Sequence, residues 1–421
     1  MLLRFEASNH RSILEPVELS MIAVDKERPA ARSFDLLNEQ VLTVAGIYGP
    51  NASGKSNLLD ALAWLSEAVR SSLQGWDEEV PRDQHQFGSG PSSQSTFELD
   101  AMVDEVRYKY RLEVDANVQY ESLFSFPKRR RRMLFEREGS KIRFREGYEA
   151  AGGVRELLTP TTLALSAARR LDRSNLGRVA RALASMQFRG LRRPIRPLIP
   201  YGLLQQVRYS SKQRFEEEYF SPTLPIAELR GSHADPLQML QLADPGIVGV
   251  EFIQSFEGDD EEPSREIRFV HSPEGEAVGF PLNQESVGTR TWFGLIGPVL
   301  TLLERGGVLI HDEIDASLHP KLLAQLVGLF HDPETNPRGA QLIFTTHDVS
   351  LLDHLNRDEV WLTEKDADGM TQLLALAEYG GERVRKSVNL ERAYMQGRFG
   401  AVPKVDQFTV RRALGLAGHS A

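Results

Sequence analysis

The pattern of hydrophobic and polar positions changes twice along the chain. In the first part, apolar and polar residues alternate, most clearly at residues 96–103 and 106–114, which predicts antiparallel strands joined by a hairpin. In the middle part, apolar residues recur every three or four positions, as at residues 163–171, which predicts helices. In the last part, short apolar runs such as residues 306–311 alternate with helical stretches such as residues 320–331, which predicts a parallel sheet covered by helices.

These changes divide the chain into three parts. We expect residues 1–150 and 246–421 to form the two halves of one α/β domain with an additional antiparallel sheet. Residues 151–245 are expected to form a helical insertion between the halves. Its last helix is predicted at residues 234–243, with Asp235 as the N-cap and Pro236 in the first turn.

Composition limits the chemistry. The 421 residues are 41% hydrophobic, which is typical of a globular protein, and the net charge is −9. No cysteine is present, which excludes disulfides, thiolate catalysis and cysteine-ligated metals. The longest uncharged apolar run, residues 291–303, is too short to span a bilayer. Arg4 and Glu6 near the start are atypical of a secretory signal, so we expect a cytoplasmic protein without membrane contact.

A P-loop motif follows the apolar run at residues 41–48. It fits the pattern G-x-x-x-x-G-K-[ST] and comprises Gly49, Pro50, Asn51, Ala52, Ser53, Gly54, Lys55 and Ser56, with Asn57 opening a helical stretch. A strand, a glycine-rich turn and a helix together aim backbone N–H groups at a phosphate chain. The motif therefore predicts ATP binding, with Lys55 at the β- and γ-phosphates and the Ser56 hydroxyl on Mg²⁺.

Two further apolar strands end in polar residues that suit the same chemistry. Residues 308–311 lead into Asp312 and Glu313, a Walker B pattern in which Asp312 would hold Mg²⁺ and Glu313 would polarise the attacking water. The position before Asp312 usually carries an apolar residue. His311 stands there, and we interpret it as a partly buried histidine. The second strand leads into His347, a candidate contact for the γ-phosphate.

The order of motifs along the chain resembles the ABC-type ATPase heads of the SMC, RecF and OLD proteins. After the P-loop and a long insertion come Ser286 and Gly288 at a helix start, then Walker B, Asp315 and His347. The resemblance implies an α/β P-loop NTPase fold of the ABC type. It also implies that Ser286 and Gly288 form the signature motif, that Asp315 belongs to the D-loop, and that the signature binds the nucleotide of a second subunit.

A narrower resemblance covers nearly the whole chain. The runs Asn-His-Arg-Ser-Ile at residues 9–13, Asp-Glu-Ile-Asp-Ala-Ser-Leu-His-Pro at 312–320 and Gly-Arg-Phe-Gly at 397–400 are similar to AAA/ABC-type ATPases of abortive-infection and toxin–antitoxin loci. This resemblance implies that Arg11 and Ser12 contribute to the nucleotide site. It also implies a separate effector, often an RloB-like or Toprim-type nuclease.

Two questions stay open at this level. The basic run at residues 128–132 fits either a nucleic-acid contact or the solvated edge of a strand or turn. No glutamine can be assigned to the Q-loop, for which Gln86 and Gln119 are candidates.

The motifs and the two resemblances together lead to a first hypothesis for the function. We expect an ATPase that forms a head-to-tail dimer and regulates a separate effector in anti-phage defence. A DNA-repair ATPase like RecF or SMC is one alternative. A nucleotide-dependent scaffold with low turnover, which holds a partner and releases it, is the other.

Overall fold

The computed structural model describes residues 1–26, 28–34, 37–76, 78–145, 152–171, 175–191, 236–255, 264–379, 389–402, 410–412 and 414. Most of the second half of the predicted helical insertion, including Asp235, lies outside the described residues. The boundaries of that insertion stay a prediction.

Within this part of the chain, the structure contains the following strands and helices. The strands are β1 (Leu2–Ser8), β2 (Val17–Ser20), β3 (Ala31–Ser33), β4 (Gln40–Leu42), β5 (Val44–Tyr48), β6 (Ser95–Val103), β7 (Val106–Val114), β8 (Val118–Ser125), β9 (Arg132–Glu138), β10 (Lys141–Phe144), β11 (Gln187–Arg189), β12 (Ile247–Ser255), β13 (Ser264–His271), β14 (Val278–Pro281), β15 (Val308–His311), β16 (Gln341–Thr345), β17 (Val360–Lys365) and β18 (Thr371–Ala375). The helices are α1 (Lys55–Gly75), α2 (Gly152–Glu156), α3 (Ala164–Leu171), α4 (Asn175–Ala184), α5 (Pro236–Gln241), α6 (Val287–Arg305), α7 (Pro320–His331) and α8 (Leu390–Met395).

The alternating strands of the first part form a seven-stranded antiparallel sheet in the order β10-β9-β8-β7-β6-β1-β2. The predicted hairpin is confirmed, since β6 and β7 pair from Ser95↔Val114 to Val103↔Val106. Buried and less buried residues alternate along most of β7, because successive side chains of a strand point to opposite faces.

The predicted parallel sheet is also confirmed. It contains six strands in the order β11-β15-β16-β5-β17-β18, and only the β17–β18 pair is antiparallel. All residues of β5, β15 and β16 are buried, as expected for strands covered on both faces. The parallel pairing places the carboxyl ends of β5, β15 and β16 at one edge.

Two hydrophobic cores lie on opposite faces of this sheet. On one face, Ala45 and Ile47 of β5 join the core that α1 shares with the antiparallel sheet, α3 and α4. On the other face, Val44 and Tyr48 join the core formed with α6 and α7. Helix α1 thus connects the P-loop to the antiparallel sheet.

Strand β11 was not predicted. Its three residues lie in the part of the chain expected to be helical, yet they pair in parallel with β15 from Gln187↔Leu309 to Arg189↔His311. Three residues are too few for a period of two to be recognised.

A separate three-stranded sheet, β12-β13-β14, precedes α6. None of the described helices is both long enough and apolar enough to cross a membrane.

Candidate functional site

The turn between β5 and α1 depends on two glycines. Gly49 has φ 154° and Gly54 has φ 105°, backbone conformations that side chains disfavour. A Cβ at Gly49 would collide with Thr363 Oγ1, and one at Gly54 with Thr371 Oγ1. Strands β17 and β18 therefore press directly against this loop, and only glycine fits at both positions.

Lys55, the first residue of α1, folds back over the loop. Its Nζ donates to Gly49 O at 2.7 Å and to Pro50 O at 3.1 Å. Burial lowers the pKa of Lys55, while the carboxylates of Asp312, Glu313 and Asp315 oppose that shift. The ammonium group is thus held at a helix N-terminus, where a phosphate chain would replace the loop carbonyls as its partner.

Asp312 follows the last residue of β15 and is buried. Its Oδ1 accepts from Ser56 Oγ at 3.0 Å and from Thr345 Oγ1 at 2.6 Å. Its backbone N–H donates to Arg189 O at 2.9 Å, so β11 helps to fix its position. A residue 256 positions after Ser56 therefore shares a hydrogen bond with it, because β5 and β15 end at the same edge of the sheet.

Glu313 is exposed and adopts φ 51°, a left-handed conformation that non-glycine residues seldom adopt. Its backbone N–H donates to Thr345 Oγ1 at 2.7 Å. Thr345, the last residue of β16, thus binds both acidic residues of the Walker B pair through one hydroxyl group. Strained backbone held by its surroundings is common at functional sites.

The remaining motifs of the second half meet beside this edge. The backbone N–H of His347 lies 3.3 Å from both carboxylate oxygens of Asp315. Ser286 caps α6, its Oγ accepting from Thr289 N at 3.0 Å. A Cβ at Gly288 would lie 2.9 Å from Ser317 O, so the start of α6 packs closely on the loop after Asp315. The residues predicted to form the signature and the D-loop are therefore neighbours within one chain.

Arg11 and Ser12 lie next to the P-loop helix. Ser12 Oγ accepts from Asn57 Nδ2 at 2.6 Å and contacts Thr371 Oγ1 at 2.7 Å. Arg11 Nε lies 3.1 Å from Asp60 Oδ2 on α1. Both residues line a cavity of about 470 Å³, together with Lys365, Gly369 and residues 83–87.

A family model described as "AAA domain, putative AbiEii toxin, Type IV TA system" matches residues 44–353. The match includes the P-loop, Walker B, the signature residues and His347. The chain belongs to this family. Its fold is that of a P-loop NTPase of the ABC type, with a mixed sheet between helices and an additional antiparallel sheet, as the sequence predicts. No curated protein matches the chain.

The solved structures to which the chain is similar include three SMC heads. One is an SMC head bound to the C-terminal winged-helix domain of ScpA, with 14% identity, a TM-score of 0.42, and coverage of 89% of this chain and 97% of that one. The SMC head domain from Thermotoga maritima has 12% identity, a TM-score of 0.40, and coverage of 89% and 98%. An SMC head with an extended coiled coil from Pyrococcus furiosus, bound to the C-terminal domain of ScpA, has 14% identity, a TM-score of 0.41, and coverage of 90% and 97%.

His311 of this AAA-family chain is buried, and its Nδ1 lies 3.0 Å from Asp312 O. Burial lowers the pKa of His311 to about 4, so the imidazole is neutral at neutral pH. The neutral ring therefore donates from Nδ1 to the carbonyl that follows it in the chain. This placement agrees with the interpretation of His311 as a buried histidine.

The two glutamine candidates occupy different places. Gln86 is exposed and lines the cavity beside Arg11 and Ser12. Gln119 belongs to β8 of the antiparallel sheet, where its Nε2 donates to Asp115 Oδ1 at 2.8 Å. Of the two, only Gln86 lies next to predicted nucleotide-site residues.

The basic run at residues 128–132 occupies the turn between β8 and β9 and ends at Arg132, the first residue of β9; all five side chains are exposed. Arg129 donates to Asn38 Oδ1 at 2.6 Å, and the Arg131 guanidinium lies 3.9 Å from the centroid of the Phe124 ring. An exposed turn suits either of the two interpretations of this run, and nucleic-acid binding stays a prediction.

Three threonines complete the site and were missed as functional residues. Thr345 binds the Walker B pair. Thr363 Oγ1 contacts Ser53 Oγ at 2.6 Å, and Thr371 Oγ1 donates to Ser53 O at 3.0 Å. The only sequence signal for them is their position at the end of an apolar strand or inside a hairpin.

Proposed function

We propose that this chain binds ATP with Mg²⁺ and hydrolyses it. One observation carries the proposal: the hydroxyl of Ser56 and the carboxylate of Asp312 are hydrogen-bonded at 3.0 Å at the edge where the P-loop begins α1. A hydroxyl and a carboxylate are oxygen ligands of the kind that Mg²⁺ takes beside nucleotide phosphates. The donor set therefore fits the ion that the P-loop motif implies.

Each residue has a distinct role in this proposal. Lys55 binds the β- and γ-phosphates through its ammonium group, aided by the backbone N–H groups of residues 51–57. Ser56 and Asp312 hold Mg²⁺, which supplies charge neutralisation when bound. Glu313 orients the attacking water, and His347 contacts the γ-phosphate. The cavity beside Arg11 and Ser12 provides room for the remainder of the nucleotide.

The experiment is Mg²⁺-dependent ATP turnover by the purified chain. Lys55→Ala should abolish nucleotide binding, because the point charge at the phosphates is lost. Glu313→Gln should keep binding and slow hydrolysis, because only the water-orienting carboxylate is changed. A Glu313→Gln protein as fast as the parent would show that the Walker B assignment is wrong. Absence of turnover with intact ATP binding would favour the scaffold alternative.

We infer further that two chains pair head-to-tail, with Ser286, Gly288 and Asp315 of one chain acting at the P-loop of the other. The exposure of Ser286 supports this arrangement, since the residue lies at the surface of its own chain. Mixing inactive Lys55→Ala with inactive Ser286→Arg should restore part of the activity. A mixture that stays inactive although mixed dimers form would contradict the arrangement.

The biological role that we propose is regulation of a separate effector, a nuclease or toxin, in cytoplasmic anti-phage defence. The family description names a toxin of a type IV toxin–antitoxin system, which supports a defence locus. Binding energy from ATP would favour a closed dimer, and hydrolysis would release it, which gives a partner two states to recognise. Co-purification with the product of the adjacent gene, lost in Lys55→Ala, would support this role.

A further inference from the structure

Three metal-ligating side chains meet just before helix α6, and none of them has a role in the proposed nucleotide site. Asp244 lies in the turn between α5 and β12, His271 ends β13, and Glu285 precedes the N-cap of α6. One ligand atom from each lies within 4.8 Å of the others. We propose that Asp244, His271 and Glu285 form a binding site for one divalent transition-metal ion, of which Zn²⁺ is the best fit.

The chemistry of the three groups suits such an ion. Zn²⁺ accepts imidazole nitrogen and carboxylate oxygen, and three protein ligands with one water complete a tetrahedral shell. Bonds of about 2.1 Å place neighbouring ligands roughly 3.4 Å apart. His271 Nε2 and Glu285 Oε1 are 2.9 Å apart, and the three ligand atoms lie within 4.8 Å of one another, so these distances span the required spacing.

The surroundings hold the ligands in place. The side chain of Glu285 is only 7% exposed, and that of His271 is 21% exposed. The Phe280 ring packs edge-on against His271, with centroids 5.5 Å apart. Gly246 lies on the opposite side of the cluster. A Cβ there would lie 3.1 Å from Asp244 Oδ1 and 3.4 Å from His271 Nδ1, so the absence of a side chain leaves this side open.

A hydrogen-bonded His–Glu pair is the simpler explanation for two of the residues. Asp244 comes from a third segment, where its Oδ1 accepts from Gly246 N at 2.9 Å, and a carboxylate oxygen of Asp244 lies within 4.8 Å of the ligand atoms of the other two residues. The mixture of one nitrogen and two oxygen ligands favours Zn²⁺ over Mg²⁺, which prefers oxygen ligands in octahedral geometry. An ion here would join three segments and fix the residue that precedes Ser286.

Zinc binding can be measured by calorimetry on the untagged chain after chelator treatment, without nucleotide and with excess Mg²⁺. We expect one Zn²⁺ per chain and a rise in melting temperature. His271→Ala and Glu285→Gln should each weaken binding at least about tenfold, because the first removes a ligand and the second removes the charge of one. Asp244→Asn should weaken it as well.

Two control variants make the result specific. His354→Ala removes an exposed histidine elsewhere and should leave zinc binding unchanged. Asp312→Asn should also leave it unchanged, which separates this site from the proposed nucleotide site. No zinc uptake by the parent, or equal uptake by parent and Glu285→Gln, would overturn the proposal. Glu285→Gln is the decisive variant if His271→Ala fails to fold.

Discussion

The two ends of the parallel sheet both bury carboxylates, but they stabilise them in opposite ways. At the amino end, Asp358 and Glu359 precede β17 and are almost fully buried. Arg28 lies 2.6 Å from Asp358 Oδ1 and 3.2 Å from Glu359 Oε1. The backbone N–H groups of Val24 and Asp25 donate to the other Asp358 oxygen. These charges are paired with a cation.

At the carboxyl end, Asp312 is held by two neutral hydroxyl groups, those of Ser56 and Thr345. Lys55 donates to loop carbonyls in this structure. A paired carboxylate has little left to offer a ligand, whereas one fixed by hydroxyl groups keeps its charge for a cation. We therefore expect the amino end to stabilise the fold and the carboxyl end to support the proposed ATP hydrolysis.

Asp312→Asn should have the largest effect on activity. The amide keeps an oxygen for the Ser56 and Thr345 hydrogen bonds but removes the charge that would hold Mg²⁺. Hydrolysis should fall by about 10³-fold, a loss of several kcal/mol of transition-state stabilisation. The melting temperature should change little. Turnover near the parental rate would show that the carboxyl end is not the catalytic end.

Arg28→Met should lower the stability of the fold and leave hydrolysis unchanged. It leaves Asp358 and Glu359 buried without their cation, which typically costs about 3–5 kcal/mol of folding free energy. Hydrolysis per folded molecule should be retained. The free energy of unfolding in urea is the measurement, with the exposed Arg170→Met as the matched control. A variant as stable as this control would show that the amino-end network does not stabilise the fold.

The two ends also differ in their histidines. His331 lies 3.4 Å from Glu359 at the amino end, whereas burial lowers the pKa of His311 to about 4 at the carboxyl end. An unfolded histidine titrates near 6.5, so above that pH both states are neutral. As the pH falls from about 6.5 to 4, only the unfolded state takes up the proton, and stability declines by up to about 3 kcal/mol.

His311→Leu should therefore flatten the pH dependence of stability in that window. Urea unfolding at neutral pH and near pH 4 measures the difference between variant and parent. His354→Leu, which changes an exposed histidine, should leave the slope unchanged. Equal slopes for His311→Leu and the parent would mean that folding does not lower the pKa of His311.

Much of the fold follows from the sequence because the strands and helices are long enough to show their periods. Helix α7 begins and ends at the predicted residues, Pro320 and His331, and the β6–β7 hairpin has the predicted turn. Strand β11 could not be predicted, because its three residues gain their structure from pairing with β15.

Some residues of the candidate site could likewise be predicted from the sequence, and others could not. Gly49, Lys55, Ser56 and Asp312 could be named from the sequence because the phosphate chemistry requires those residue types at fixed spacing. Thr363 and Thr371 could not, because threonine is common in strands and their contacts with the P-loop arise only when β17 and β18 pack beside it. Thr345 could not be named either, although it lies two residues before His347, the predicted contact of the γ-phosphate.

The smallest expected effect on activity comes from Thr345, at the carboxyl end of the sheet. Its single hydroxyl donates to Asp312 Oδ1 at 2.6 Å and accepts from the Glu313 backbone at 2.7 Å. Thr345→Val keeps the shape and removes both bonds, so both acidic residues lose part of their support. We expect kcat to fall by about 10–100-fold with little change in KM, as when an outer ligand of a metal site is lost. Thr345→Ser should restore most of kcat.

The amino end supplies the matched control for this variant. Thr43, directly before β5, is also fully buried and donates to Ala30 O at 3.1 Å. Thr43→Val should cost about 1 kcal/mol of folding free energy, as for a typical buried hydrogen bond, and leave kcat unchanged. If Thr345→Val loses only a similar amount of stability and keeps its kcat, the hydroxyl is structural. If both variants lose kcat equally, a buried hydroxyl at either end is needed for hydrolysis. The two ends would then not be functionally distinct.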